Sequence, residues 1–139
     1  MSTRKRQPAI RRAQHGCFFC ELLESKSRPF LVENDFFYAV EDHYPVNDKH
    51  SLIVSKRHTV TLAELTKPEL IAFAAILREL QRLIRRNTKA EGFNIGVNEG
   101  VAAGQTIEHL HVHLIPRYSG DVENPRGGIR NLKPSLVHY

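Results

Sequence analysis

The chain has 139 residues, of which 41% are hydrophobic and 25% charged, as in an ordinary globular domain large enough to bury a core. Its apolar runs are too short to cross a membrane and no signal-peptide core follows Met1, so we expect a soluble, cytoplasmic protein. The net charge of +5 indicates a polyanion partner for the fold only if the basic residues are spread over it.

The excess positive charge lies in an N-terminal tail, residues 1–16, with five Lys or Arg and no acid. Without those five, 15 of the 20 Lys and Arg remain and balance the 15 Asp and Glu. We therefore predict a solvated, disordered basic tail and a folded domain over residues 17–139. Nucleic acid is a possible partner of the tail alone. A transit peptide is the other interpretation, although the tail has little apolar face.

The first predicted element is a short helical turn over residues 17–25, which opens with the sequence CFFC. In a cytosolic chain, Cys17 and Cys20 can be a redox pair, half of a metal site or two buried thiols. A thioredoxin-like redox motif should follow a strand, and none is predicted before it. A metal site needs two further ligands from elsewhere in the chain.

Three β-rich runs follow. Residues 30–34 and 36–42 are separated by Asp35, which predicts a hairpin. Residues 43–49 then form a polar loop, and residues 50–55 are a third apolar strand.

The clearest element is a long amphipathic helix. Thr66 is the predicted N-cap, Pro68 lies in the first turn, and Glu69 completes a capping box. The apolar face is predicted to contain Leu70, Phe73, Leu77, Leu80 and Ile84. The polar face carries Arg78, Gln81, Arg85 and Arg86. This spacing is typical of a helix of about 20 residues that packs one face on a core.

Two more strands complete the domain. Residues 92–98 and 108–115 are predicted strands separated by a Gly-containing loop, and a loop-rich arm covers residues 125–134. One long helix inserted in a run of strands favours an α+β fold with an antiparallel sheet.

The strand at 108–115 carries His109, His111 and His113 at alternate positions. On a strand they would share one face, while Leu110 and Val112 pack towards the helix from the other. Three imidazoles on one face need polar partners, although a solvated face or satisfied core histidines would also explain them. The preceding loop, NEGVAAGQT, offers backbone amides and small polar residues that suit phosphate oxygens, and the common glycine-rich nucleotide motifs are absent.

The run NEGVAAGQTIEHLHVHLIPRY closely resembles the histidine triad superfamily, whose motif is His-φ-His-φ-His-φ-φ with φ apolar. CFFC and FYAVEDHYPVNDKHSLIVSKRH, with the spacing between them, extend the similarity over residues 17 to about 118. The resemblance implies a HIT-like fold, and a homodimer built by the long helix and a strand edge.

The resemblance also implies hydrolysis or nucleotidyl transfer at an α-phosphate, with diadenosine polyphosphates or nucleotide phosphoramidates as substrates. His111 would be the nucleophile that forms a covalent nucleotidyl-histidine, His113 would assist charge and proton transfer, and His50 would position the nucleophile. The implied substrate-binding residues are Asp42 for the ribose, and Asn98, Gln105 and Thr106 for phosphate or leaving group. Phe18 and Phe37 are weaker candidates for the base pocket.

Several branches of this family hold a structural zinc ion. The matching ligands here would be Cys17, Cys20, His58 and His109, a closed tetrahedral set. Two buried thiols without metal are the alternative.

The chain departs from the family at two positions. Relatives often have Gly where Lys49 stands and Pro where Ser55 stands, so Lys49 is a candidate to alter phosphate affinity. The arginines of the C-terminal region are candidates to reach further phosphates; they are Arg117, Arg126 and Arg130.

Two other functions compete with this hypothesis. One is a metal-dependent hydrolase in which His109, His111 and His113 together bind a catalytic metal. The other is a non-catalytic nucleotide-binding regulatory module whose basic tail contacts nucleic acid.

Overall fold

A computed structural model describes residues 14–133 of the chain. Most of the predicted basic tail, residues 1–13, therefore lies outside the described residues, as do residues 134–139. Within the described part, the longest helix is too polar to cross a membrane, and no other helix qualifies.

The described residues form one five-stranded antiparallel sheet with two α-helices. The strands are β1 (Val32–Glu33), β2 (Phe37–Glu41), β3 (Ser51–Ser55), β4 (Gly92–Gly96) and β5 (His111–Arg117), in the spatial order β1-β2-β3-β5-β4. The helices are α1 (Phe18–Ser25) and α2 (Lys67–Asn87). The predicted α+β class with an antiparallel sheet is confirmed, and the predicted hairpin is β1 paired with β2.

Each face of the sheet is covered by a different helix. Strand β2 shows why, because its residues alternate between two apolar clusters. Phe37 and Ala39 join the cluster that contains the buried face of α2, whereas Tyr38 and Val40 join the cluster that contains α1. All four side chains are fully buried, which accounts for the continuous apolar run FYAV.

Helix α2 begins as predicted, at the Thr66 N-cap with a reciprocal capping box to Glu69. Its buried face differs from the prediction in the first turn, where Leu70 is 47% exposed. Glu69 takes the inward position instead and is only 3% exposed, because Arg57 pairs with it at 2.8 Å. Further along, Ile76, Leu80 and Ile84 are buried. The helix thus packs on the sheet from its second turn onwards.

Replacing Glu69 with alanine is expected to destabilise the fold by about 3 kcal/mol, because it leaves the Arg57 guanidinium half-buried without its carboxylate. It also removes the capping-box acceptor for the Thr66 backbone and hydroxyl groups. Urea titration measures the change as a shift of the unfolding midpoint with an unchanged m value. Glu79→Ala, on the exposed face of α2, is the control. Equal midpoints for the two variants would contradict the prediction.

Candidate functional site

A cleft of about 490 Å³ opens on the α1 side of the sheet, bounded by α1, by the loop after β2 and by the loop before β5. Its lining consists of Phe18, Phe19, Arg28, Asp42, His43, Tyr44, Leu52, Asn98, Gly104, Thr106, Ile107, His111 and His113. Of the residues predicted to act on a substrate, the cleft therefore brings together two histidines, an aspartate and two loop residues.

The three histidines of the motif lie on the α1 side of the sheet, as predicted. His109 and His111 both contact Phe19 of α1, whereas Leu110, Val112 and Leu114 join the cluster on the α2 side. Strand β5 begins only at His111. The preceding backbone leaves the ladder, because the N–H of Leu110 donates to Thr59 O at 2.7 Å and that of His109 donates to Ile107 O at 2.8 Å. His111 and His113 line the cleft, whereas His109 is fully buried beside Cys17 and Cys20.

A hydrogen bond to the backbone fixes which ring nitrogen of His111 carries a proton. Its Nδ1 lies 2.7 Å from the carbonyl oxygen of His109. A carbonyl oxygen can only accept a hydrogen bond, so Nδ1 carries the proton. In the neutral imidazole Nε2 then has a lone pair, which is the form that a nucleophile requires. Phe19 packs against this ring, with 4.9 Å between centroids.

A chain of hydrogen bonds fixes the protons of His50 and His113. The N–H of Val46 donates to His50 Nδ1 at 3.1 Å, so neutral His50 carries its proton on Nε2. That nitrogen lies 2.9 Å from His113 Nδ1, which therefore accepts. Neutral His113 consequently carries its proton on Nε2. Asp42 Oδ2 lies 3.4 Å from His50 Nε2 and adds an acceptor beside the pair.

The electrostatics of this pair agree with the neutral forms. Burial, together with the neighbouring His111 and His50, lowers the pKa of His113 to about 4, while Asp42 opposes the shift. Burial also lowers the pKa of His50. Both rings are thus neutral near pH 7, so His113 can donate its Nε2–H to a substrate while the ring is uncharged.

The low pKa of His113 makes the stability of the fold depend on pH. An unfolded histidine binds a proton near pH 6.5, whereas folded His113 does so only near pH 4, so stability is full above pH 6.5 and falls as the pH drops towards 4. The shift corresponds to about 3 kcal/mol. We expect His113→Asn, whose amide oxygen can still accept from His50, to lose less stability between pH 7 and pH 4.5.

Unfolding free energies measured by urea titration at the two pH values test this prediction. The control is His43→Asn, because His43 is exposed at the rim of the same cleft. If His113→Asn lost as much unfolding free energy between pH 7 and pH 4.5 as the control, another group would control the acid sensitivity of the fold.

The predicted substrate-binding residues are divided by the structure. Asp42, Asn98 and Thr106 line the cleft, with Asp42 Oδ1 already accepting from the N–H of Tyr44 at 2.9 Å. Gln105 does not line it. Its side-chain amide instead accepts from the N–H of Gly100 and donates to the carbonyl oxygens of Val60 and Ile107, which stabilises the loop before β5. The phosphate contact of Gln105 stays a prediction.

The two aromatic candidates for a base pocket also separate. Phe18 lines the cleft and is 45% exposed. Phe37 lies on the opposite face of the sheet against Phe73 of α2, so its assignment to the pocket is wrong. The sequence analysis missed Arg28 and Tyr44, which line the cleft without belonging to any motif.

Cys17, Cys20, His58 and His109 converge at one end of α1. One ligand atom from each lies within 4.8 Å of the other three, and three of the four residues are buried. Cys17 Sγ is 3.3 Å from His109 Nδ1. Cys20 Sγ is 3.3 Å from His58 Nδ1. These residues are placed to hold a metal ion, and two thiols with two imidazoles are the donor set that a tetrahedral structural site uses.

The other nitrogen of His109 has its own partners. Nε2 lies 2.7 Å from the carbonyl oxygen of Ser55 and 3.2 Å from its hydroxyl. The Nε2 proton therefore points to Ser55, which leaves the Nδ1 lone pair directed at the sulfurs, as a metal ligand requires. Ser55 therefore orients the ring of His109 through both its carbonyl oxygen and its hydroxyl.

The arrangement argues against a metal shared by the three histidines of the motif. His109 belongs to the cysteine cluster, while His113 groups with Asp42 and His50. In the part of the chain that the structure describes, no metal-capable group contains two of the three motif histidines.

The four basic residues predicted to reach phosphate do not line the cleft. Lys49 pairs with Glu41 at 2.8 Å and is not part of the cleft lining. Its φ of 63° is in the left-handed region, which glycine adopts without strain. Arg117 bonds both carboxylate oxygens of Asp121 at 2.8 Å. Neither Arg126 nor Arg130 is among the residues that line the cleft.

Comparison with known proteins identifies the family to which this chain is similar. The model of the HIT domain family matches residues 24–120. The adenylylsulfatase HINT3 of Arabidopsis thaliana is 36% identical over 78% of this chain and 55% of its own length. The AP-4-A phosphorylase of Mycobacterium tuberculosis is 40% identical over 66% of this chain and 47% of its own length. The chain spans about half the length of these two relatives.

Solved structures give the same result. A Zn-bound histidine triad family protein from Mycobacterium smegmatis is 32% identical, with a TM-score of 0.69 over 76% of this chain and 78% of that one. Sequence and fold comparisons thus converge on one family.

Proposed function

This chain belongs to the HIT domain family, and from that premise we propose that it hydrolyses or transfers nucleotidyl groups at the α-phosphate of nucleoside 5′-phosphoryl compounds. The observation that carries the proposal is the proton arrangement of the cleft. His111 presents a basic Nε2, and His113 presents an N–H on the same strand two residues away.

The two groups suit a two-step displacement. In the first step the Nε2 lone pair of His111 attacks phosphorus, a P–N bond forms, and the bond from phosphorus to the leaving group breaks. The Nε2 proton of His113 moves to the leaving oxygen or nitrogen. In the second step water attacks phosphorus and gives a proton back to His113, while the P–N bond breaks and the mononucleotide is released.

The substrates we propose are diadenosine polyphosphates and nucleotide phosphoramidates. Their support comes from relatives that are an AP-4-A phosphorylase and an adenylylsulfatase, whose names describe reactions of adenylyl compounds. Phosphate in place of water as the second nucleophile would make the same site a phosphorylase. Asp42 would bind the ribose hydroxyls, and Asn98 and Thr106 the phosphate oxygens, since all three line the cleft.

We further propose zinc as the ion of the cysteine–histidine cluster, in a structural role. The donor set leaves no position for a substrate, so the ion would fix α1 to the sheet and supply no step of the reaction. A cytoplasmic homodimer completes the proposal. Its support is the edge of β4, which pairs only with β5 among the described strands.

Intact-protein mass spectrometry tests the enzyme proposal. The protein is mixed briefly with a diadenosine polyphosphate or, separately, with adenosine 5′-phosphoramidate, and quenched. We expect a nucleotidyl adduct on the native chain that is absent from His111→Ala. Released mononucleotide, followed with and without inorganic phosphate, separates hydrolysis from phosphorolysis. Tight nucleotide binding with neither adduct nor product would replace the enzyme by a nucleotide-binding module.

A further inference from the structure

Arg28 is a cleft residue that the proposed reaction does not use. It lies between α1 and β1, and its side chain reaches over the sheet to the end of β2, where Nη2 donates to the carbonyl oxygen of Glu41. This bond holds one edge of the guanidinium and leaves its other N–H groups available. Among the described residues that line the cleft, Arg28 is the only lysine or arginine.

The strand order places Arg28 at the end of the cleft opposite the reacting phosphate. His113 of β5 pairs with Leu52 of β3, which pairs with Val40 of β2. Adjacent strands are about 4.8 Å apart, so the cleft runs about 10 Å across the sheet from the histidines to β2. A nucleotide whose phosphorus lies at His111 would therefore extend its ribose past Asp42 and its base towards Arg28.

The walls of the cleft suit a flat base. Phe18, Phe19, Leu52 and Ile107 provide apolar and aromatic surface in the lining. A guanidinium held at the rim of such a slot contributes specificity, because its N–H groups lie in one plane and donate only to groups with lone pairs.

We propose that Arg28 reads the base and makes guanosine 5′-phosphoryl compounds preferred substrates over their adenosine counterparts. Guanine offers two adjacent acceptors, O6 and N7, which match a fork of two N–H donors. Adenine presents N7 beside an amino donor, so the second N–H of the fork would meet another donor. The proposal rests on the proposed function for the position of the phosphate at His111.

The test compares guanosine and adenosine 5′-phosphoramidates as substrates, and GMP and AMP as ligands by calorimetry. We expect the native protein to favour guanine by about tenfold or more in kcat/KM and in affinity. Arg28→Met, which keeps the length of the side chain, should remove this preference and leave AMP binding intact. Lys26→Met is the matched control, because Lys26 is exposed, lies near Phe30 and does not line the cleft.

The outcomes separate the two proposals. Tighter GMP than AMP binding without turnover of either substrate would leave base recognition standing and overturn the enzyme. Turnover with no guanine preference in the native protein would overturn the role of Arg28 alone. An equal loss for both bases in Arg28→Met would also overturn it, and would identify the guanidinium as a phosphate contact instead.

Discussion

Replacing His111 with asparagine is expected to lower kcat by about four to six orders of magnitude, as loss of a covalent nucleophile does. The asparagine amide can still donate to the carbonyl of His109, as His111 Nδ1 does at 2.7 Å, so the strand keeps its geometry. The variant has no atom at the place of Nε2. We therefore expect nucleotide affinity to stay within a few-fold of the native value.

His113 gives the comparison that separates a nucleophile from a proton donor. His113→Asn is expected to lower kcat by about two to four orders of magnitude and still to form the adduct slowly. The control is His43→Asn, at the exposed rim of the cleft, which should turn over normally. Single-turnover kinetics with both substrate classes measure all three variants. A His111→Asn variant with more residual activity than His113→Asn would reverse the roles assigned here.

The fold was largely predictable because most of its signals are local. The capping box before α2, the hairpin at Asn34 and Asp35 and the apolar runs of the strands each depend on neighbours in sequence. The errors occur where a residue distant in sequence determines which side chain is buried. Leu70 is exposed because Arg57 draws Glu69 inward, and no periodicity in the helix reports the position of an arginine from another segment.

The site shows the same division. The motif predicted the candidate histidines, but not that β5 starts only at His111. That starting point depends on Thr59, whose carbonyl oxygen accepts the N–H of Leu110 from a distant loop. Arg28 has no motif at all. Its place in the cleft follows from the path of the chain between α1 and β1 and from the carbonyl of Glu41.

Loss of the metal is the second large effect we expect. An ion present at about 1,000 times its Kd stabilises the fold by about 4 kcal/mol, so chelation should lower the melting temperature by about 10 °C. Cys20→Ser should do the same without chelator, because Cys20 is buried in α1 and is within 3.5 Å of both His58 and His109. Elemental analysis of the native protein should find one zinc per chain.

The proposed ion would also affect catalysis through the backbone. The ring of His109 would be fixed by the ion on one side and by Ser55 on the other, and its carbonyl holds the proton of His111. We therefore expect chelation to lower kcat as well as stability, and zinc to restore both. His15→Ser is the control, since His15 is exposed beside the cluster without belonging to it. A metal-free native protein with unchanged melting temperature would mean that the cluster is two buried thiols, and that the carbonyl of His109 needs no ion to hold the nucleophile.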